Sequence, residues 1–131
     1  MESQQETRTV ERALVSVVDD DESVRESLPD LLQELGFEAR SFSSAEEFLS
    51  SNSVSRSDCL ILDIAMPKMT GLELQRELQL RGHNIPTIFM TAHKDEAARA
   101  RAFEQGAVRF LLKPFSDTGL LAAINAALQP S

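Results

Sequence analysis

The sequence contains a single cysteine, Cys59, among 131 residues. One cysteine cannot form an intramolecular disulfide, and it cannot supply the several thiolates of a cysteine-based zinc cluster. Because Cys59 lies in an apolar stretch, we interpret it as a small buried hydrophobic residue rather than a nucleophile. Disulfide scaffolds and cysteine-built zinc sites are therefore excluded.

Long apolar runs are also missing. None approaches the roughly 18 consecutive apolar residues that a membrane-spanning helix requires. The polar start, MESQQETRTVER, has no apolar segment of the kind found in signal peptides. We therefore expect a cytoplasmic protein that does not contact a membrane.

Basic residues are in the minority. The chain has 13 lysines and arginines against 21 aspartates and glutamates, which gives a formal net charge of -8. This charge argues against direct binding of nucleic acid, because phosphate-binding surfaces are basic. It suits a divalent cation or a partner with a basic patch. A glycine-rich nucleotide-binding loop is absent as well, which argues against a dinucleotide-dependent enzyme.

Short apolar runs alternate along the chain with segments of helical spacing. The apolar runs predict five strands, at residues 13–18, 37–42, 59–62, 87–90 and 108–112. Between them, apolar side chains recur every three or four residues, as on one face of a helix. The clearest example comprises Val24, Leu28, Leu31, Leu32 and Leu35.

Two further signals mark the ends of the predicted helices. A hydroxyl residue followed three positions later by glutamate is the pattern of a capping box, and it occurs at Ser23–Glu26, Ser44–Glu47 and Thr70–Glu73. Glycines that can adopt a left-handed backbone stand where helices should end, at Gly36, Gly82 and Gly106. These signals predict five strand–helix units.

The predicted strands define the fold class. The runs at 59–62 and 87–90, and most of 13–18, are apolar at both odd and even positions, which is typical of strands buried on both faces of a parallel sheet. We therefore predict a doubly wound α/β fold with a five-stranded parallel sheet in the order 2-1-3-4-5 and helices on both faces.

Polar side chains follow four of the five predicted strands. Because the carboxyl ends of parallel strands lie at one edge of the sheet, these side chains should meet near the point where the strand order reverses. They are Asp19, Asp20 and Asp21 after the first strand, Asp63 after the third, Thr91 after the fourth and Lys113 after the fifth.

Carboxylates gathered in this way repel one another. Two unit charges about 4 Å apart cost on the order of 4 kcal/mol at an effective dielectric constant of 20. Lys113 supplies one positive charge, and Mg²⁺ is a hard cation that prefers oxygen ligands. A carboxylate that faces a cation and an ammonium group is suited to accept a phosphoryl group.

Four motifs, in order, carry a resemblance to a known family: VVDDDESVR, LILDIAMPKMTG, IFMTAH and RFLLKPF. The chain resembles the CheY-like receiver domains of bacterial two-component response regulators, over about residues 13–128. It is most similar to receivers that precede a LuxR-type DNA-binding domain, as in the FixJ group. The resemblance implies a flavodoxin-like (βα)5 three-layer sandwich, in agreement with the pattern of strands.

The resemblance implies a role for each acid at the site. Asp63 would accept a phosphoryl group from a phosphohistidine of a sensor histidine kinase, in a step that depends on Mg²⁺. The metal ligands would be Asp19, Asp20, Asp63 and the backbone carbonyl of Ala65. Asp21 would then be a solvated acid or an acid at the start of the first helix.

It also implies a switch. Thr91 and Lys113 would contact the phosphoryl group, and Thr91 together with Phe110 would change the surface formed by the fourth helix, the fifth strand and the fifth helix. The Lys113–Pro114 peptide would be cis. The expected output is phosphorylation-dependent homodimerisation, with DNA reached only through a separate output domain that regulates transcription.

Some alternatives stay open. We expect self-catalysed phosphorylation and at most slow autodephosphorylation, rather than an enzyme. A Mg²⁺-dependent phosphohydrolase with an aspartyl nucleophile usually has a second acid two residues later, where this chain has Ala65. A stand-alone regulator stays open as well, whereas the full set of Asp19, Asp20, Asp63, Thr91 and Lys113 argues against a degenerate receiver that acts only as a scaffold. We expect a flexible tail at 1–12, the receiver at 13–128, and the start of a linker or the end of the chain at 129–131.

Overall fold

A computed structural model of the protein describes residues 12–129. Five parallel strands form one sheet in the order β2-β1-β3-β4-β5. Their bounds are β1 Leu14–Val18, β2 Glu38–Phe42, β3 Cys59–Asp63, β4 Thr87–Thr91 and β5 Arg109–Leu112. The predicted strand order is therefore confirmed. The expected tail lies outside the described residues except for Arg12, and so do the last two residues of the chain.

Helices cover both faces of the sheet. Their bounds are α1 Glu22–Glu34, α2 Ala45–Leu49, α3 Gly71–Leu80, α4 Glu96–Glu104 and α5 Asp117–Leu128, with a 3₁₀ turn at Asn52–Val54. Buried side chains of α1 and α5 pack with one face of the sheet, and buried side chains of α2, α3 and α4 pack with the other. The result is the predicted three-layer sandwich.

The central strands β1, β3 and β4 are buried at every position. Burial on both faces explains why their sequences lack the alternation of a half-exposed strand. The two edge strands differ, since β2 and β5 begin with an exposed residue and are only partly covered. No helix in the range 12–129 is long and apolar enough to cross a membrane.

The helix boundaries test the capping predictions. The capping box of Thr70 and Glu73 is present in full. The prediction at Ser23 is wrong, because α1 begins two residues earlier than that cap requires, and Asp21 is its N-cap. Ser44 caps α2 as predicted, but Glu47 reaches back to the amide of Ser43 rather than to that of Ser44.

The register of the strands aligns the ends that carry polar side chains. Val18 pairs with Leu62, and Asp63 pairs with Met90, so the ends of β1, β3 and β4 are level. Thr91 pairs with Leu112, which places the residue after β5 at the same edge. This edge of the sheet is the location of the candidate site.

Candidate functional site

Three carboxylates meet at the carboxyl edge of the sheet. Asp19 and Asp20 follow β1, and Asp63 is the last residue of β3. Each offers an oxygen that lies within 4.8 Å of those of the other two. Asp19 is fully buried and Asp63 is 7% exposed, whereas Asp20 is exposed to solvent. The cluster therefore has two acids inside the protein and one facing outward.

Lys113 is the cation that faces these acids. It follows β5, and its Nζ donates a hydrogen bond of 2.8 Å to Oδ2 of Asp19 and lies 4.0 Å from Oδ2 of Asp63. Burial lowers the pKa of Lys113, but the hydrogen bond to Asp19 and the nearby carboxylates outweigh it, so that the pKa is raised overall. Lys113 is therefore charged at neutral pH.

Asp63 differs from an ordinary aspartate. Burial is the largest cause that raises its pKa, and the charge of Asp19 raises it further, while Lys113 and the amide of Ala65 act in the opposite direction. The net result raises the pKa of Asp63 from 3.8 to about 6. At neutral pH the carboxylate is thus ionised but poorly stabilised by its surroundings, which favours reaction with an electrophile or binding of a cation.

The loop between β1 and α1 holds Asp19 in place. The amide of Asp21 donates to Oδ1 of Asp19 at 2.8 Å, and Nη1 of Arg25 donates to the backbone carbonyl of Asp19 at 3.1 Å. The side chain of Asp21 accepts hydrogen bonds from Ser23, which lower the pKa of Asp21. Asp21 is therefore the acid at the start of the helix, which is one of the two roles that the resemblance left open for it.

Arg25 is a residue at the site that sequence reasoning did not single out. Its position in the first turns of α1, six residues after Asp19, is the only signal that could have indicated it. Because α1 starts directly after the acidic loop, its first turns bring the side chain of Arg25 back to the carbonyl of Asp19.

The other residues predicted for the site are Thr91, Phe110 and Ala65, together with the Lys113–Pro114 peptide. Thr91 is buried at the end of β4, and its Oγ1 accepts a hydrogen bond of 3.2 Å from the amide of His93. Phe110 is half-buried and packs against the apolar cluster beneath α2, α3 and α4. The amide of Ala65 donates to Oδ1 of Asp63 at 3.3 Å, and the Lys113–Pro114 peptide is cis, as predicted.

The residues present fit a hard divalent cation. The donors are carboxylate oxygens within one ion's reach of one another, and oxygen ligands are those that Mg²⁺ prefers. Burial, and then the charge of Asp19, raise the pKa of Asp63 despite the nearby Lys113, so a bound cation would stabilise the ionised form of Asp63. Asp19, Asp20 and Asp63 therefore form an acidic cluster that could bind a metal. The carbonyl of Ala65 as a further ligand stays a prediction.

This fold and site define a class of protein. Residues 15–125 match the response regulator receiver domain family, and the chain belongs to that family. The protein is thus a receiver domain of a two-component response regulator, as the motifs predicted.

Two characterised relatives place the chain among regulators. It is 43% identical over 117 residues to the response regulator protein TodT of Pseudomonas putida, covering 89% of this chain and 52% of that protein. It is 42% identical over 124 residues to the transcriptional regulatory protein TdiR of Thauera aromatica, covering 95% of this chain and 55% of that protein. The chain spans about half the length of these relatives.

Solved structures agree with the assignment. The structure titled FixJ-N has a TM-score of 0.81 and 41% identity, and the match covers 88% of this chain and 93% of that one. The response regulator StyR has a TM-score of 0.83 and 46% identity, with coverage of 90% and 60%. The predicted similarity to the FixJ group is confirmed.

Proposed function

We propose that Asp63 accepts a phosphoryl group from a phosphohistidine of a sensor histidine kinase, and that this controls an output of the regulator. One observation carries the proposal: an Asp63 carboxylate of raised pKa lies between two further acids and the ammonium of Lys113. The receiver would comprise residues 13–128. Phosphorylation of an aspartate is typical of this family.

The residues of the chain have distinct tasks in this step. An Oδ atom of Asp63 forms the bond to phosphorus while the phosphorus–nitrogen bond of the phosphohistidine breaks, and the leaving imidazole takes up a proton. The carboxylate is ionised above about pH 6, the pKa of Asp63, and is then available as the nucleophile. Lys113, 4.0 Å from Oδ2 of Asp63, is positioned to pair with an oxygen of the transferred group.

Mg²⁺ is the cofactor we infer, held by Asp19, Asp20 and Asp63. When bound, it would supply positive charge that neutralises the phosphoryl oxygens. Asp19 is kept in position by Lys113 and by the amide of Asp21, so that its carboxylate is oriented before any ligand arrives. Preorganisation of this kind reduces the cost of reaching the reactive geometry.

Phosphorylation would act as a switch through Thr91 and Phe110. A new hydrogen bond from the Thr91 hydroxyl to the phosphoryl group would draw the loop after β4 inward and leave room for Phe110 to turn. Each hydrogen bond to a charged group contributes roughly 1.5–3 kcal/mol. Since a shift from 1:99 to 99:1 requires about 5.5 kcal/mol, two or three new contacts are sufficient.

The surface that changes would be the one formed by α4, β5 and α5. Phe110 borders a groove of about 280 Å³ on this surface, together with Leu112, Phe115 and Arg99. Leu112 is 45% exposed and lines this groove beside two aromatic side chains, and such a contiguous apolar surface suits contact with a second copy of the chain. We infer phosphorylation-dependent homodimerisation here, with DNA contacted only by an output domain.

The test of phosphoryl acceptance uses a small donor. Incubation with acetyl phosphate and Mg²⁺ should add the mass of one phosphoryl group to the intact wild-type chain, and Asp63→Asn should abolish the addition. Equal labelling of Asp63→Asn, or labelling of wild type that is unaffected by chelation of Mg²⁺, would refute the proposal.

The test of the switch separates labelling from output. Thr91→Ala should still be labelled, because the nucleophile and Lys113 are intact, yet it should not dimerise when beryllofluoride and Mg²⁺ are added. The solution mass of wild type should change from monomer to dimer under these conditions. Full dimerisation of Thr91→Ala would remove Thr91 from the switch.

A further inference from the structure

The first residue of α3 lies directly against the backbone of the phosphoacceptor. A Cβ built on Gly71 would be 2.4 Å from the carbonyl oxygen of Asp63 and 3.1 Å from its carbonyl carbon. It would also be 3.2 Å from the Cα of Ile64. All three atoms belong to the backbone, which cannot turn aside as the end of a flexible side chain can.

Glycine at this position is not explained by backbone conformation. Gly71 is absent from the residues with positive φ, whereas Gly36, Gly82 and Gly106 have φ values between 83° and 102°. Within a helix, alanine is favoured over glycine by roughly 0.5–1 kcal/mol. The close approach to Asp63 is therefore the physical reason that the position has no side chain.

The same contact closes the loop that carries the site. The amide of Gly71 donates to the carbonyl of Ile64 at 3.2 Å, and the amide of Ile64 donates to the carbonyl of Met90 at 3.0 Å. The loop thus leaves the sheet and returns to within one hydrogen bond of its starting point. A displacement of Gly71 would act on the Ile64–Ala65 peptide through this hydrogen bond and on the adjoining Asp63–Ile64 peptide through direct contact.

We propose that Gly71 is a positioning residue for Asp63: its missing side chain lets the start of α3 rest on the Asp63 carbonyl and so fixes the carboxylate for phosphorylation. This inference deepens the function proposed above and rests on it. An alanine would have to move by at least about 0.6 Å to reach a contact of 3.0 Å with that oxygen. A misplacement of about 1 Å can lower a reaction rate about 100-fold.

The experiment compares Gly71→Ala with Gly119→Ala. Gly119 also lies in the first turn of a helix, α5, but its added Cβ would meet only the Ser116 hydroxyl, at 3.1 Å. Rates of labelling by acetyl phosphate are measured over a range of Mg²⁺ concentrations and are divided by the folded fraction from urea unfolding. A second readout, without metal, is the NMR shift of the amides of Ile64 and Ala65.

We expect Gly71→Ala to lower the maximal labelling rate per folded molecule about 10- to 100-fold and to shift both amide signals, whereas Gly119→Ala stays within about twofold of wild type. A stability role alone would leave the rate per folded molecule unchanged, and that result would overturn the proposal.

If Gly71→Ala is unfolded in buffer, the rates are taken in a stabilising osmolyte. Failure to fold even there would also overturn it, because Gly71 would then be required for the fold as a whole rather than for the position of one carboxylate. Wild type that accepts no phosphoryl group would instead refute the proposed function.

Discussion

Replacement of Asp63 by asparagine should stabilise the metal-free protein. Burial and the charge of Asp19 raise the pKa of Asp63 from 3.8 to about 6, so the ionised carboxylate is less stable in the folded chain than in the unfolded chain. Asparagine has nearly the same shape and no charge. The substitution therefore removes an unfavourable charge from a buried position while the fold around it is retained.

The magnitude follows from the pKa. One pKa unit corresponds to about 1.4 kcal/mol, so the full rise would correspond to about 3 kcal/mol. Because the site opens to solvent on the side of Asp20, screening reduces this value, and we expect a gain of about 1–2 kcal/mol at low ionic strength.

The dependence on pH has a definite sign. Between its unfolded and folded pKa values, Asp63 binds more protons in the native state, so the free energy of unfolding of wild type falls as the pH rises from 3.8 to about 6. The advantage of Asp63→Asn should be full above about pH 6 and should vanish below about pH 4.

Urea unfolding followed by circular dichroism, in a chelating buffer, measures this difference directly. Asp30→Asn, at an exposed position on α1, controls for the general loss of one negative charge. Equal stability of wild type and Asp63→Asn at about pH 7.5, or a gain that persists below about pH 4, would refute the electrostatic reasoning.

Three other predictions concern stability and reactivity. Lys113→Met should lower the free energy of unfolding by about 2–4 kcal/mol, because it leaves the buried Asp19 carboxylate without its cation. Urea unfolding of this variant, alone and combined with Asp19→Asn, measures the loss. If the double variant loses as much stability as Lys113→Met alone, the pairing is contradicted. Thr70→Ala should cost about 1 kcal/mol by removing the N-cap of α3, and an unchanged urea midpoint would argue against the capping box. Cys59 should react with iodoacetamide only after unfolding, since it is fully buried and burial raises its pKa to about 12; rapid alkylation of the native protein would contradict its burial.

Much of the fold could be predicted because its signals are local. The buried strands β1, β3 and β4 are short apolar runs, and the glycines that end α1, α3 and α4 have the positive φ that only glycine adopts easily. Once the parallel sheet is inferred, the position of Asp63 beside the acids after β1 follows from topology alone.

Of the features that were missed, one is a choice between neighbouring caps and two depend on three-dimensional geometry. Ser23 was predicted as the N-cap of α1, but an aspartate caps a helix equally well, and Asp21, whose side chain accepts from the amide of Ser23, has that role. The role of Arg25 depends on the rotation of α1 relative to the acidic loop. The contact of Gly71 with Asp63 arises where a helix returns to a strand, and spacing in the sequence does not encode that distance.

The most direct test of the account is to locate the modified residue. The protein is treated with acetyl phosphate and Mg²⁺, the acyl phosphate is reduced with borohydride, and peptides are mapped by mass spectrometry. We predict that Asp63 alone is converted to homoserine and that a chelator prevents the conversion. Conversion at Asp19 or Asp20 instead, or conversion of Asp63 that proceeds equally well without Mg²⁺, would contradict the central claim.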